Sequence, residues 1–279
     1  MDLALFYFLL LGFAILMYVL LDGFDLGIGI LYPWFNSDAE HDHLMRSISH
    51  VWDGNETWLV FGGVILFGAF PLAYASIASL LYLPIMLMLI GLIFRGVAFE
   101  YRFKSHTSKV WWNRAFAIGS SLAAFCQGLM LGVLVQGVDA DSVASSSLQW
   151  LTPFSLFTGL AVMAGYALLG CTYLTMKSRG DIQQKAARYG QRLLLFVMLA
   201  MLLVSLFTLY QQPEIRERWF GGAHSLILML LPVTAMLAAR LLFRDLGRVQ
   251  RQFAAEADIS IRHESRPFWL AASLFLLAF

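Results

Sequence analysis

Long apolar runs separated by short polar connections dominate this chain. Eight runs can be followed, at about 3–31, 50–70, 73–98, 115–138, 153–176, 191–211, 220–243 and from Pro267 onward. Seven are long enough for the roughly 20 apolar residues a spanning helix needs. The eighth is still running at Phe279, and its 13 or so residues fall short of a span. It predicts a chain truncated at its C-terminal end. No strict alternation of apolar and polar residues points to a transmembrane barrel. The pattern predicts an all-α, polytopic transmembrane helical bundle with seven full spans and a partial eighth. Residues 1–279 read as a single integral membrane domain, with one group of helices over about 1–138 and a second over about 153–279. Pro71 marks a short turn between the second and third runs.

Composition strengthens this reading. Hydrophobic residues make up 59% and charged residues 13% of the 279 positions, against about 25% charged in a soluble domain. A net charge of +1 gives no reason to expect a nucleic-acid partner. Cys126 and Cys171 each lie inside an apolar run, as small packing residues do. The N-terminal segment lacks a basic region and a cleavage motif, so it reads as a retained first helix.

Charge then orients the chain. All but two of the 19 lysines and arginines fall in or beside the connections after the first, third, fifth and seventh runs. Arg216 and Arg218 are the two on the other side. The positive-inside rule places the N-terminus outside. It also puts Asp139, Asp141 and Ser145 to Ser147 in an outer loop. Tyr32, Trp34, Trp52, Trp111, Trp112, Trp150 and Trp219 fall near predicted helix ends, where an interfacial aromatic belt is expected.

The candidate chemistry is acidic. Asp22 and Asp25 are three apart in the first run, hence on one helix face. Asp53 and Glu56 repeat the spacing at the start of the second. The two helices run antiparallel, so both pairs fall towards the cytoplasmic leaflet. Carboxylates at that depth should face protein or water rather than lipid. Together they form a possible proton inlet through titrating groups and trapped water. Local alternatives remain open. Asp22 can cap a helix break at Gly23, and Asp53 and Glu56 have the spacing of a capping box. Arg95, closing the third run at similar depth, reads equally as a charge partner for the acids and as an ordinary cytoplasmic anchor. No metal site is expected. His41, His43, His50, His106 and His263 sit in or beside loops and His224 at an outer helix start, so no histidine lies mid-membrane opposite a second ligand. A secondary transporter or channel with coupling acids is the rival class, expected to show broken helices near the midplane.

The motifs LDGFDLG (21–27), WDGNETWL (52–59) and LYLPIMLMLIGLIFRGVAFEYR (81–102) resemble subunit II of cytochrome bd-type quinol oxidases. Further matches are VQGV at 135–138, TPFSLFTGL at 152–160 and GCTYLTMK at 170–177. The short outer loop after the sixth run is similar to the cyanide-insensitive branch. The resemblance implies nine helices in the full fold, as two four-helix bundles and a peripheral helix. It implies a subunit that is not catalytic alone, paired with a haem-bearing subunit I that ligates haem b and haem d. That complex oxidises quinol and reduces oxygen to water in the bacterial inner membrane. A structural quinone, contacted by Trp52, and small single-helix subunits are further implications. By motif, Asp53 matches the acid of a cytoplasmic proton path, with Asp25 and Asp22 beside it. Glu56 is the weakest match, because some relatives carry glutamine there.

Overall fold

A computed structural model describes residues 2–105, 107–137, 148, 150–221, 225–254 and 265–278. The outer-loop residues Asp139, Asp141 and Ser145 to Ser147, together with His106, His224, Arg262 and His263, lie outside the described residues.

The described elements are helical. In chain order they are α1 (Leu3–Leu31), α2 (Asp38–Ile48), α3 (Trp52–Ala69), α4 (Pro71–Leu80), α5 (Tyr82–Arg102) and α6 (Lys109–Gln136). There follow α7 (Pro153–Lys177), α8 (Asp181–Gln211), α9 (Pro213–Phe220), α10 (Ser225–Leu228), α11 (Leu230–Ala254) and α12 (Arg266–Ala278). Among the described residues, α1, α5, α6, α7 and α8 are long and apolar enough to cross a membrane.

Several boundaries differ from the sequence reading for identifiable reasons. The single third run is two helices that meet at Leu81. Pro84 has no N–H for the carbonyl of residue 80, so it is tolerated only in the first turn of a new helix. At about 1.5 Å per residue, α4 alone is roughly 15 Å long and does not span. Proline also opens α4, α7 and α9, where its missing N–H costs nothing. The polar connection after α1 is not a loop but a 3-10 turn, Tyr32–Trp34, followed by α2. Ser37 caps α2, and Glu40 reaches back to the Ser37 backbone, a complete capping box. Helix α1 runs unbroken through Asp22 and Gly23.

The chain divides into two compact units, Met1–Tyr166 and Ala167–Phe279, with the boundary inside α7. In the first unit α1 packs against both α3 and α6, and α5 lies along α6. The α5–α6 crossing is made by glycine. A Cβ on Gly119 would sit 2.5 Å from the Gly91 carbonyl oxygen, and one on Gly91 would sit 2.7 Å from that of Gly119. Only hydrogen at both positions permits this approach. Leu81, Leu129, Val133 and Trp150 form a core cluster. Trp150 is packed inside at 8% exposure, and Tyr32 is 1% exposed. In the second unit α11 packs on α8 and α12. Gln191 donates to the Phe243 carbonyl at 2.8 Å, and Arg266 Nε lies 3.1 Å from Asp245 Oδ2. Both cysteines are buried free thiols.

The long helices turn large apolar side chains outward, among them Phe8, Val64, Phe67, Leu195 and Leu199. The polar groups are gathered inward instead. Arg95 and Arg102 are the largest fully buried side chains among the described residues.

Candidate functional site

Arg95 hangs from α5 one turn after the glycine crossing. A Cβ on Gly119 would lie 3.1 Å from the Arg95 backbone nitrogen, so the crossing sets where the arginine starts. Its guanidinium then reaches α1 and α3. Nη1 is 3.3 Å from Asp22 Oδ1, and Nη2 is 4.0 Å from Asp25 Oδ2. Nη1 also donates to Glu56 Oε1. Asp22, Asp25 and Arg95 are fully buried, and the Glu56 side chain is 22% exposed. One guanidinium, with five donors in a fixed fork, thus joins three carboxyls from two other helices.

Two further contacts complete the arrangement. Asn55 donates from Nδ2 to Asp25 Oδ2 at 2.6 Å and to the Leu21 carbonyl at 3.3 Å. Trp52 stacks on Phe99, with centroids 4.8 Å apart and planes 10° from parallel. The Arg95 guanidinium carbon lies 5.9 Å and 5.7 Å from these two ring centres, within cation–π range. Trp52 is half-buried, so its ring is committed to the cluster on one side.

The sequence-derived acids are therefore sorted by the fold. Asp22, Asp25 and Glu56 converge on Arg95. Asp53 does not: it is exposed in the second position of α3 and makes no capping bond, since Val51 is the N-cap. Residues three apart share a broad face, yet Glu56 sits on the inner edge of that face and Asp53 on the outer. Asn55 was not singled out by sequence, although it lies between them in WDGNET. A buried amide flanked by two acids was the available signal.

A second buried arginine was also missed. Arg102 follows Arg95 by seven residues, two turns along the same face of α5. It donates from Nε to Asn113 Oδ1 at 2.5 Å and from Nη1 to Asp42. The Tyr32 hydroxyl donates to the same Asn113 oxygen at 3.1 Å. The His41 ring stacks on Tyr32 at 4.2 Å, and its Nε2 meets the Tyr32 carbonyl oxygen at 3.1 Å. This network ties α2 to α5 and α6 and explains why Tyr32 is buried. His41 is thereby engaged, and His50 is exposed; the two do not face one another as an axial pair would.

Chemically, the Arg95 cluster can hold, exchange and reorient protons among three carboxyls around a fixed positive charge. It holds no arrangement suited to a nucleophile or a metal: no group of three or more metal-ligating side chains occurs among the described residues.

Comparison with known proteins agrees with the motifs. The chain is 31% identical over 215 residues to cytochrome bd-I ubiquinol oxidase subunit 2 of Escherichia coli strain K12, covering 73% of this chain and 56% of that one. The chain thus spans just over half the length of that relative. It is 30% identical over 240 residues to cytochrome bd ubiquinol oxidase subunit 2 of Bacillus subtilis strain 168, covering 84% and 70%. The solved bd oxidase of Geobacillus thermodenitrificans has the same fold, with a TM-score of 0.75 at 18% identity, over 100% of this chain and 82% of that one. The family model for cytochrome bd terminal oxidase subunit II matches residues 3–279, from the first turn of α1 to the last residue. The chain with the buried Arg95 cluster belongs to the cytochrome bd terminal oxidase subunit II family.

Proposed function

We propose that the chain acts as subunit II of a terminal quinol oxidase of the aerobic respiratory chain, lining a proton path from the cytoplasm. Family membership supports the complex. The observation that carries the proton path is the buried cluster of Asp22, Asp25 and Glu56 on Arg95. Asp53, exposed on this chain alone, is the group through which the path meets the partner or the cytoplasm. Protons pass between Asp53 and the cluster carboxyls through water. Arg95 supplies a fixed positive charge that favours the ionised form of the carboxyls, so that a proton they take up is given on again. Asn55 holds Asp25 in place.

In this reading the haem-bearing subunit I carries haem b and haem d. The described histidines of this chain offer no axial pair. The haems supply the electron transfer and the oxygen reduction, and this chain supplies support and protons. A structural quinone sits near Trp52, and small single-helix subunits complete the complex. The chain crosses the bacterial inner membrane seven times and enters it an eighth, in two helical bundles over about 1–138 and 153–279, with its N-terminus on the periplasmic side. The bias of basic residues supports that orientation.

Replacing Asp53 with Asn, and separately Asp25 with Asn, in the assembled oxidase tests the path. The expected result is slower oxygen reduction with an unchanged haem complement. Full-rate turnover in both variants overturns the proton role. Loss of haem together with activity assigns the cluster to assembly instead.

A further inference from the structure

One buried polar chain lies beside the Arg95 cluster and makes no ion pair with Arg95. Tyr18 precedes Asp22 by one turn on α1, on the same helix face. Gln127 of α6 donates from Nε2 to the Tyr18 hydroxyl oxygen at 2.7 Å. Tyr166 of α7 donates its hydroxyl to Gln127 Oε1 at 2.8 Å. Tyr18 is 5% exposed and Tyr166 1% exposed. Helices α1, α6 and α7 thus contribute one side chain each to a hydrogen-bonded row.

The chemistry of the amide gives this row a direction. Tyr166 spends its proton on the Gln127 oxygen, and Gln127 spends an N–H on the Tyr18 oxygen. The Tyr18 proton remains to be donated. Asp22, one turn on along the same helix face, is the acceptor within its reach. Apart from the ion pair with Arg95, neither carboxyl oxygen of Asp22 has a well-formed hydrogen bond. A buried carboxylate in that condition gains most from one aimed donor. The row is a poor proton conductor, because passing a proton through Gln127 requires the amide to rearrange to its imidic form. It orients a hydroxyl instead.

We infer that Tyr18 is a positioning residue for Asp22, its hydroxyl aimed by Gln127 and Tyr166 so that it donates to the Asp22 carboxyl. Its value for turnover rests on the proton-path reading above; the hydrogen bond itself does not. Asp22 is then the inner limit of the exchangeable carboxyls, since beyond it the polar row carries direction but not protons.

The test uses the purified, assembled oxidase and infrared difference spectra recorded between two pH values. Asp22→Asn identifies the Asp22 carboxyl signal by its loss. In Tyr18→Phe that signal is expected to shift, and Gln127→Leu and Tyr166→Phe are expected to shift it in the same direction by less. Fluorotyrosine at position 18, which keeps the ring and the hydroxyl, shifts it without disturbing assembly and serves if the other variants do not assemble. Oxygen reduction in Tyr18→Phe is expected to fall roughly tenfold, the worth of one hydrogen bond to a charged group. An Asp22 signal unmoved in Tyr18→Phe, or unmoved by fluorotyrosine, overturns the inference. Wild-type turnover in Asp22→Asn overturns the role of Asp22 in the proton path but leaves the spectral result standing, so the two failures are distinguishable.

Discussion

Replacing Arg95 with Met is the sharpest perturbation of the cluster. Methionine matches the arginine stem in reach, is a good helix former and fills irregular space, so the change removes charge with little change in packing. In the native protein an ion pair at 4 Å gains about 4 kcal/mol at an effective dielectric of 20. The Asp22 and Asp25 contacts lie at 3.3 Å and 4.0 Å. Desolvation of the buried ions offsets most of that gain, so the intact cluster contributes little net stability. Removing only the cation is different. It leaves carboxyls from α1 and α3 facing a thioether, at a cost of about 3–5 kcal/mol. Every 1.4 kcal/mol is a factor of ten, so the loss is at least a hundredfold in the folding equilibrium. The assay is heat denaturation of the assembled oxidase, followed by its haem absorption. Arg95→Met should lower both the yield and the midpoint. Adding Asp22→Asn, Asp25→Asn and Glu56→Gln to it should restore more than half of the loss, because nothing charged then remains to be paired. Arg95→Lys should fall between, since a point charge cannot serve three carboxyls as a fork does. A heat-stable Arg95→Met complex, or one not improved by removing the acids, would refute the reasoning.

Other predictions follow from single contacts. Gly119→Ala puts a methyl group 2.5 Å from the Gly91 carbonyl oxygen and should cost about 1–3 kcal/mol through overpacking; an unchanged denaturation midpoint counts against the close crossing. Asn55→Leu removes the 2.6 Å donor to Asp25 and should cost about 1.5–3 kcal/mol, read as a lower midpoint that Asp25→Asn partly abolishes. Ser37→Ala breaks the capping box of α2 at about 1 kcal/mol; amide hydrogen exchange in the first turn of α2 should speed up, and unchanged exchange contradicts the cap. Arg102→Met should release α2 from α5 and α6, seen as faster exchange throughout α2, and protection equal to that of the native protein disproves the Arg102–Asp42 tie.

Apolar run length made the helices legible, because the bilayer imposes one dimension on all of them. What it could not show was Leu81, where the break depends on a proline three residues later. Helix α2 was spelled out by Ser37 and Glu40, but a short polar helix is invisible to hydropathy. In the site, the three-residue spacings identified pairs of acids, and helical depth brought Arg95 level with them. Which edge of α3 faces inward is decided by the packing of α1 beside it, so Asp53 and Glu56 could not be separated in advance. Gln127 and Tyr18 are 109 positions apart, and Tyr166 is 39 beyond Gln127. No local pattern joins such residues; only the docking of α1, α6 and α7 does.

The Arg95 cluster also bears on how the chain enters the membrane. Helices insert before they dock, and at that stage each charged group is alone. Arginine or aspartate at a helix centre costs about 2.5–3.5 kcal/mol on insertion. Helix α1 carries two such acids, and α5 carries Arg95 after a long apolar stretch and Glu100 and Arg102 in its last turn; the apolar residues of each helix offset the penalty. The debt is relieved only when α1, α3 and α5 come together. The cluster therefore acts as a folding checkpoint: a first unit that has not closed keeps unpaired charge in the bilayer, and one that has closed hides it.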